Sequence, residues 1–256
     1  MTRTGSALFA SEVQPEWDIF GVANGGYLMA IAARAMSESA DGRLPVSLTA
    51  HFIRPVSSGP VEVSVETVKT GRTFSTMSAR MSAEQESMTL LGSFAEPGAL
   101  GEETLYLAAE PPELPPPEQC PQALPAADAP LPPPLMAQFE ERLHPDDAGP
   151  IEGRPSGEAV MRGWFRLHDD EALDSFALFL VADAFPPAVF NARLPLAWTP
   201  TLEMTTHIRA IPAPGWLRGR FTTRFVSGGL LEEDGEVWDE TGRLVALSRQ
   251  LALVPR

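Results

Sequence analysis

Three residues recur at one fixed distance along the chain. Phe165, His207 and Gly215 lie 156 positions after Phe9, His51 and Gly59. An offset held across most of each half points to a duplicated unit. Both copies must then share one topology, and their sheets can join edge to edge, which removes exposed edges. The 256 residues suffice for two such units around a large core.

The halves part at "AEPPELPPPEQCPQALPAADAPLPPP", residues 109–134. So much proline disfavours helix and sheet interiors and reads as an extended strap. The expected organisation is an N-terminal unit over 1–108, a proline-rich linker over 109–135 and a C-terminal unit over 136–256. In the first unit, "ALFASEV" reads as a short strand and "GVANGGYLMAIAARAM" as a helix. The strands "VSLTAHFIR", "PVEVSVETVK", "TFSTMSARMS" and "SMTLLGSFA" follow. Val61, Val63 and Val65 alternate with Glu62, Ser64 and Glu66, the period of a half-exposed strand. The second unit repeats the order with "AVMRGWFRL", then the apolar helix "LDSFALFLVADAF", capped by Asp174 and stopped by Pro186 and Pro187. Four strands close it. The predicted class is α+β, with one long buried helix per unit wrapped by a curved antiparallel sheet.

Gly25 and Gly26 stand where the first helix opens. Glycine costs about 1 kcal/mol against alanine inside a helix. The pair therefore predicts a close approach to the backbone, by a ligand or by tightly packed structure.

The net charge of −15 argues against nucleic acid and anionic membranes as partners. The single cysteine, Cys120, excludes an intrachain disulfide and suits a reducing compartment. No apolar run reaches the roughly 18 residues of a membrane span, and none forms a signal peptide. A cytoplasmic location is expected. Histidines and acids do not fall at metal-ligand spacing, so no metal is expected. The matched His51 and His207 read as half-buried structural residues. No GxSxG elbow occurs, which disfavours a serine α/β-hydrolase.

The segments "NGGYLMAIAARA", "LTAHFIRPVSSGPVEVSVETVKTGRTFST", "VADAFPP", "TLEMTTHIRAIPAPGW" and "DETGRLVALSRQ" resemble the TesB-like double hot-dog acyl-CoA thioesterases. Together they cover most of the chain outside the linker. The resemblance implies two tandem hot-dog units forming one double hot dog with a continuous sheet. It implies hydrolysis of coenzyme A esters, the coenzyme being part of the substrate and no cofactor being needed. It also implies assembly as a homodimer or higher homo-oligomer. In such relatives a helix aspartate, a strand threonine or serine and a late glutamine hold the attacking water. The matching residues are Asp183, Thr201 and Gln250, with Thr199 and Thr205 flanking the threonine.

Asp183 sits in an apolar run from Phe176 to Phe185. A carboxylate buried there costs several kcal/mol unless it is paired or hydrogen-bonded. That cost marks it as a catalytic group, either a general base on water or a nucleophile attacking through an anhydride, with a helix-end acid reaching solvent as the bland alternative. The first-turn amides of a helix favour anions. The thioester carbonyl would rest on the Gly26 amide, helped by Gly25 or Tyr27, and those donors would hold the oxyanion. Asn24 reads as the helix cap, with a substrate contact as the alternative. Met29, Met77, Met81 and Phe179 are expected along an acyl channel. Moving Asp183, Thr201 and Gln250 back by 156 gives Tyr27, Pro45 and Phe94, so the first unit lacks the polar set and one site per chain is expected. Two rivals stand beside this reading. One is an acyl-CoA-binding protein without catalysis. The other is a hydratase or dehydratase, disfavoured because no histidine follows Asp183 at a suitable spacing.

Overall fold

A computed structural model describes residues 1–99, 104–123, 133–168, 172–194 and 199–254. The first half contains β1 (Thr2–Arg3), β2 (Leu8–Val13), β3 (Asp18–Ile19), β4 (Val22–Ala23), α1 (Gly25–Ser39), β5 (Leu44–Phe52), β6 (Gly59–Thr70), β7 (Phe74–Ser82) and β8 (Glu86–Ala95). The second contains β9 (Phe139–Leu143), β10 (Val160–Leu167), α2 (Ala177–Val181), β11 (Thr201–Ile208), β12 (Leu217–Thr222), β13 (Val226–Ser227), β14 (Leu230–Trp238) and β15 (Leu244–Leu253).

One sheet runs through the molecule in the order β1-β2-β6-β7-β8-β5-β11-β15-β14-β12-β10-β9, with β13 beside β14. Outward from its centre, β5-β8-β7-β6-β2 on one side answers β11-β15-β14-β12-β10 on the other. The strands occur in the same order along the chain on each side, as duplication requires. At the seam, β5 and β11 pair antiparallel with Thr49 opposite Thr205. These residues, 156 apart, join their hydroxyls at 2.9 Å. A local two-fold therefore passes between them. Gly59 and Gly215 begin their strand regions with φ of 134° and 118°, backbone that favours glycine.

The offset is not uniform. Phe9 pairs with Val63, but Gly163 pairs with Gly219 at the matching place. Met77 faces Gly92, while its counterpart Glu233 faces Gln250. Each is a slip of two residues, which keeps every side chain on its own face. Phe9 and Phe165 thus both stay in the core. The counterpart of Gln250 is accordingly Gly92 and not Phe94.

The two helices differ. α1 buries Leu28, Met29, Ala32, Ala33, Ala35 and Met36, as a helix apolar nearly all round must. The expected long second helix is a correction: α2 is 5 residues. Asp174 does cap its approach, accepting from the Phe176 and Ala177 amides at 2.9 and 2.8 Å. Beyond Val181 the chain winds as turns, and Pro186 and Pro187 bar any continuation. The 156 offset also fails here, since it would start the second helix at Val181.

Two further differences concern the surface. β9 joins the outer edge of β10, a strand that the sequence reading did not anticipate. The proline-rich strap follows that edge: Leu143 N–H donates to Pro121 O and Ala123 N–H to Glu141 O. Residues 124–132 of the expected linker lie outside the described residues. His51 and His207 are exposed on the outer face, not half-buried. No helix among the described residues is long and apolar enough to cross a membrane.

Candidate active site

The half-buried acid and the glycine pair meet. The turn after α2 carries Asp183 to the first turn of α1. Its Oδ2 accepts from the Gly26 N–H and from Asn24 Nδ2, both at 2.9 Å. Asn24 Nδ2 also donates to the Asp183 carbonyl at 2.9 Å, and Asn24 Oδ1 accepts from the Tyr27 N–H at 2.8 Å. Asn24 is therefore both the cap of α1 and a clamp on Asp183. Burial pushes the Asp183 carboxyl up to about 6, while the Gly26 and Gly25 amides and Asn24 favour its charged form.

The glycines are demanded by space. A Cβ on Gly26 would clash with the Phe179 carbonyl oxygen and lie 2.8 Å from the Asp183 Cβ. One on Gly25 would lie 2.9 Å from the Phe52 ring. What approaches the backbone here is the second half of the chain itself. The expectation that Gly26 holds an oxyanion is corrected for this state, because its N–H is committed to Asp183. Tyr27 is likewise committed: its amide serves Asn24, and its ring stacks on Trp17 with centroids 5.0 Å apart.

A second cluster lies on the inner face of the sheet. The Thr201 hydroxyl donates to Gln250 Oε1 at 3.0 Å. Gln250 Nε2 donates to Glu233 Oε1 at 2.8 Å, and Ala188 N–H to Glu233 Oε2 at 2.6 Å. Thr201 reaches this face through a bulge, for the register of β11 on β15 shifts between Thr201 and Glu203. A bulge re-aims its neighbours, here leaving Leu202 exposed. Thr205 instead bonds Thr49 and Glu203, and Thr201 bonds Gln250.

Glu233 escaped the sequence reading. Its signal was parity: Leu231, Gly235 and Val237 mark the inner face of β14, and Glu233 shares their register. Burial pushes its carboxyl up to about 7, against the Ala188 amide and Gln250, and the charge of Asp183 pushes it the same way. That repulsion ties the two clusters together electrostatically.

Across the strands, Met204, Gln250 and Glu233 form one row. Its counterpart in the first half is Leu48, Gly92 and Met77, with no ionisable group. Met29, Met77, Met81 and Phe179 are all fully buried in the main core. They belong to one core cluster, close-packed as protein interiors are. Two surface clefts, of about 380 and 390 Å³, lie around Trp164 and Trp216 and around Pro145 and Arg154. Neither includes Asp183. Among the described residues no three His, Cys, Asp or Glu side chains gather as a metal site.

Comparison with known proteins decides the family. The acyl-CoA thioesterase N-terminal domain matches residues 13–95, and the acyl-CoA thioesterase C-terminal domain matches residues 117–254. The chain belongs to the acyl-CoA thioesterase family. Among solved structures, it is similar to a Thermobifida fusca protein provisionally assigned as a thioesterase II, with 35% identity, a TM-score of 0.89 and coverage of 100% and 95% of the two chains. A hot dog fold protein of unknown function from Alicyclobacillus acidocaldarius shares 25% identity at a TM-score of 0.83, covering 98% and 94%. The tesB protein of Mycobacterium avium subspecies paratuberculosis, at 22% identity, has a TM-score of 0.79 over 99% and 95% of the chains. In this TesB-like chain α1 packs against the sheet, and Asp183 meets the first turn of α1.

Proposed function

We propose that this chain is a double hot-dog enzyme that hydrolyses acyl-CoA thioesters at Asp183. The contact between Asp183 and the N-terminus of α1 carries the reading. It joins a buried, proton-hungry carboxylate to fixed amides that hold it ready as a base near neutral pH.

The water lies between Asp183 and Thr201. It gives one proton to Asp183 while its oxygen attacks the thioester carbonyl carbon. Its other hydrogen is held by Thr201 Oγ1, whose own hydrogen is already given to Gln250. Gln250 Nε2 spends one hydrogen on Glu233 and keeps a second for the oxygen that gains charge. The C–S bond then breaks, the acid is released, and the coenzyme A thiolate takes up the proton. The acyl chain enters by displacing the packed methionines, and chains pair into a homo-oligomer.

A panel of acyl-CoA esters with colorimetric detection of free thiol tests this. At least one ester releases thiol, and Asp183→Asn lowers kcat by about 10²-fold or more. The acid limb of the pH–rate profile includes the protonation of Asp183 near 6. An unchanged rate in Asp183→Asn removes the acid from the mechanism. Tight ester binding without thiol release identifies a binding protein instead.

A further inference from the structure

Glu233 makes and breaks no bond in the reaction above, yet it is 4% exposed and both of its oxygens are engaged. A primary amide such as Gln250 has two ends of nearly equal shape, and only its neighbours decide which end faces where. Here the neighbours are a hydroxyl and a carboxylate. A charged carboxylate accepts and cannot donate, so it selects the NH₂ end of Gln250. The carbonyl end is then left for the Thr201 hydroxyl. The Ala188 amide pins the other Glu233 oxygen and prevents the carboxylate from turning.

We infer that Glu233 is a positioning residue for the hydrolytic site: it fixes the Gln250 amide with its oxygen on Thr201 and one N–H free for the substrate. This rests on the thioesterase reading for its consequence, but the geometric claim concerns Gln250 alone. Charge on Glu233 is what makes the selection. A protonated Glu233 has an O–H that donates to the carbonyl end of Gln250 and oxygen lone pairs that accept from its NH₂ end, so the selection is lost. The groups facing it are Gln250 from β15, the Ala188 amide after α2, and the charges of Asp183 and Asp234. Asp234 is itself bound by Arg249 at 2.6 Å and Arg224 at 3.0 Å. Glu233→Gln would present one oxygen and one NH₂. With the oxygen kept by Ala188, the NH₂ faces the Gln250 NH₂ and forces that amide to turn over.

The test has one arm that needs activity and one that does not. In wild-type enzyme the full rate needs Asp183 and Glu233 both charged, so the acid limb of the pH–rate profile is steeper than one proton over its first tenfold and extends up to about 7. In Glu233→Gln the limb falls to a one-proton slope near 6, kcat drops by roughly tenfold and KM stays within about twofold. Adding Glu233→Gln to Gln250→Ala costs nothing further. Independently, the side-chain NH₂ resonances of Gln250 in the wild-type chain shift with a midpoint near 7 in NMR spectra. If they titrate but no ester is hydrolysed, the positioning stands and the thioesterase reading fails. If they do not titrate, or if Glu233→Gln keeps the wild-type profile, the inference is overturned.

Discussion

A glycine can be held by a ligand or by its own protein, and Gly26 shows which. Its amide bonds Asp183, and its missing Cβ leaves room for the Phe179 carbonyl. Gly25 faces the Phe52 ring, the end of a side chain that can move. The two glycines should therefore respond differently to the same change. Gly26→Ala forces backbone apart and costs about 1–3 kcal/mol, as overpacking does. For a chain of this size that lowers Tm by several degrees, at roughly 2–4 °C per kcal/mol. It also displaces Asp183 from its donors, so thiol release falls with it. Gly25→Ala melts within a few degrees of the parent. Thermal melts of the two variants compare them directly, and equal melting points would mean that backbone crowding at Gly26 is relieved without cost.

Elements with one buried face were legible, because alternation reports which residues turn inward. β6 and β14 are of this kind: Val61, Val63 and Val65 are buried, as are Leu231 and Val237. α2 was not, because the apolar run from Phe176 to Phe185 continues unchanged past Val181, where the helix gives way to turns. The site divides along the same line. Asp183 stood out as an acid in an apolar run, whereas Glu233 sat among Glu232, Asp234 and Glu236, where only its parity set it apart. β9 hid for a related reason, since its inward face carries Glu141 between Phe139 and Leu143. Glu141 is 3% exposed, and its Oε1 has no partner among the described residues. Burial holds this carboxyl well above the usual range. An orphaned buried group costs about 1–3 kcal/mol, so Glu141→Leu should stabilise the fold. The gain depends on pH with a definite sign. At pH 4 the acid is neutral in the folded chain and mostly neutral in the unfolded one. As pH rises past the unfolded value, only the unfolded chain sheds its proton, and the wild type loses stability. The advantage of Glu141→Leu therefore widens between pH 4 and pH 8. Urea midpoints at the two ends of that range measure it, and a constant gap would show that Glu141 finds a partner in solution.

The two halves share one strand order, and they have been put to different uses. The sheet kept its symmetry, because the seam at Thr49 and Thr205 and the shared topology bury both halves at once. The inner row did not. In the second half it reads Met204, Gln250, Glu233; in the first, Leu48, Gly92, Met77. A Cβ on Gly92 would lie 2.8 Å from the Leu48 side chain, so apolar groups already fill the place where Gln250 stands in the other copy. The helices divided the work as well. The longer α1, from the first half, supplies the amides, and the turn after α2, from the second, supplies the acid. A second copy of that junction would need an acid facing the start of α2, where Asp174 serves as a cap and is bridged to Arg34 at 2.7 Å. On the proposed mechanism, one site per chain is the expected count however many chains assemble. Calorimetric titration with coenzyme A should saturate at one equivalent per chain, and Leu48→Ala should leave that number unchanged. Saturation at two equal equivalents would mean that the apolar row of the first half still binds, and that one copy's polar set is not what makes a site.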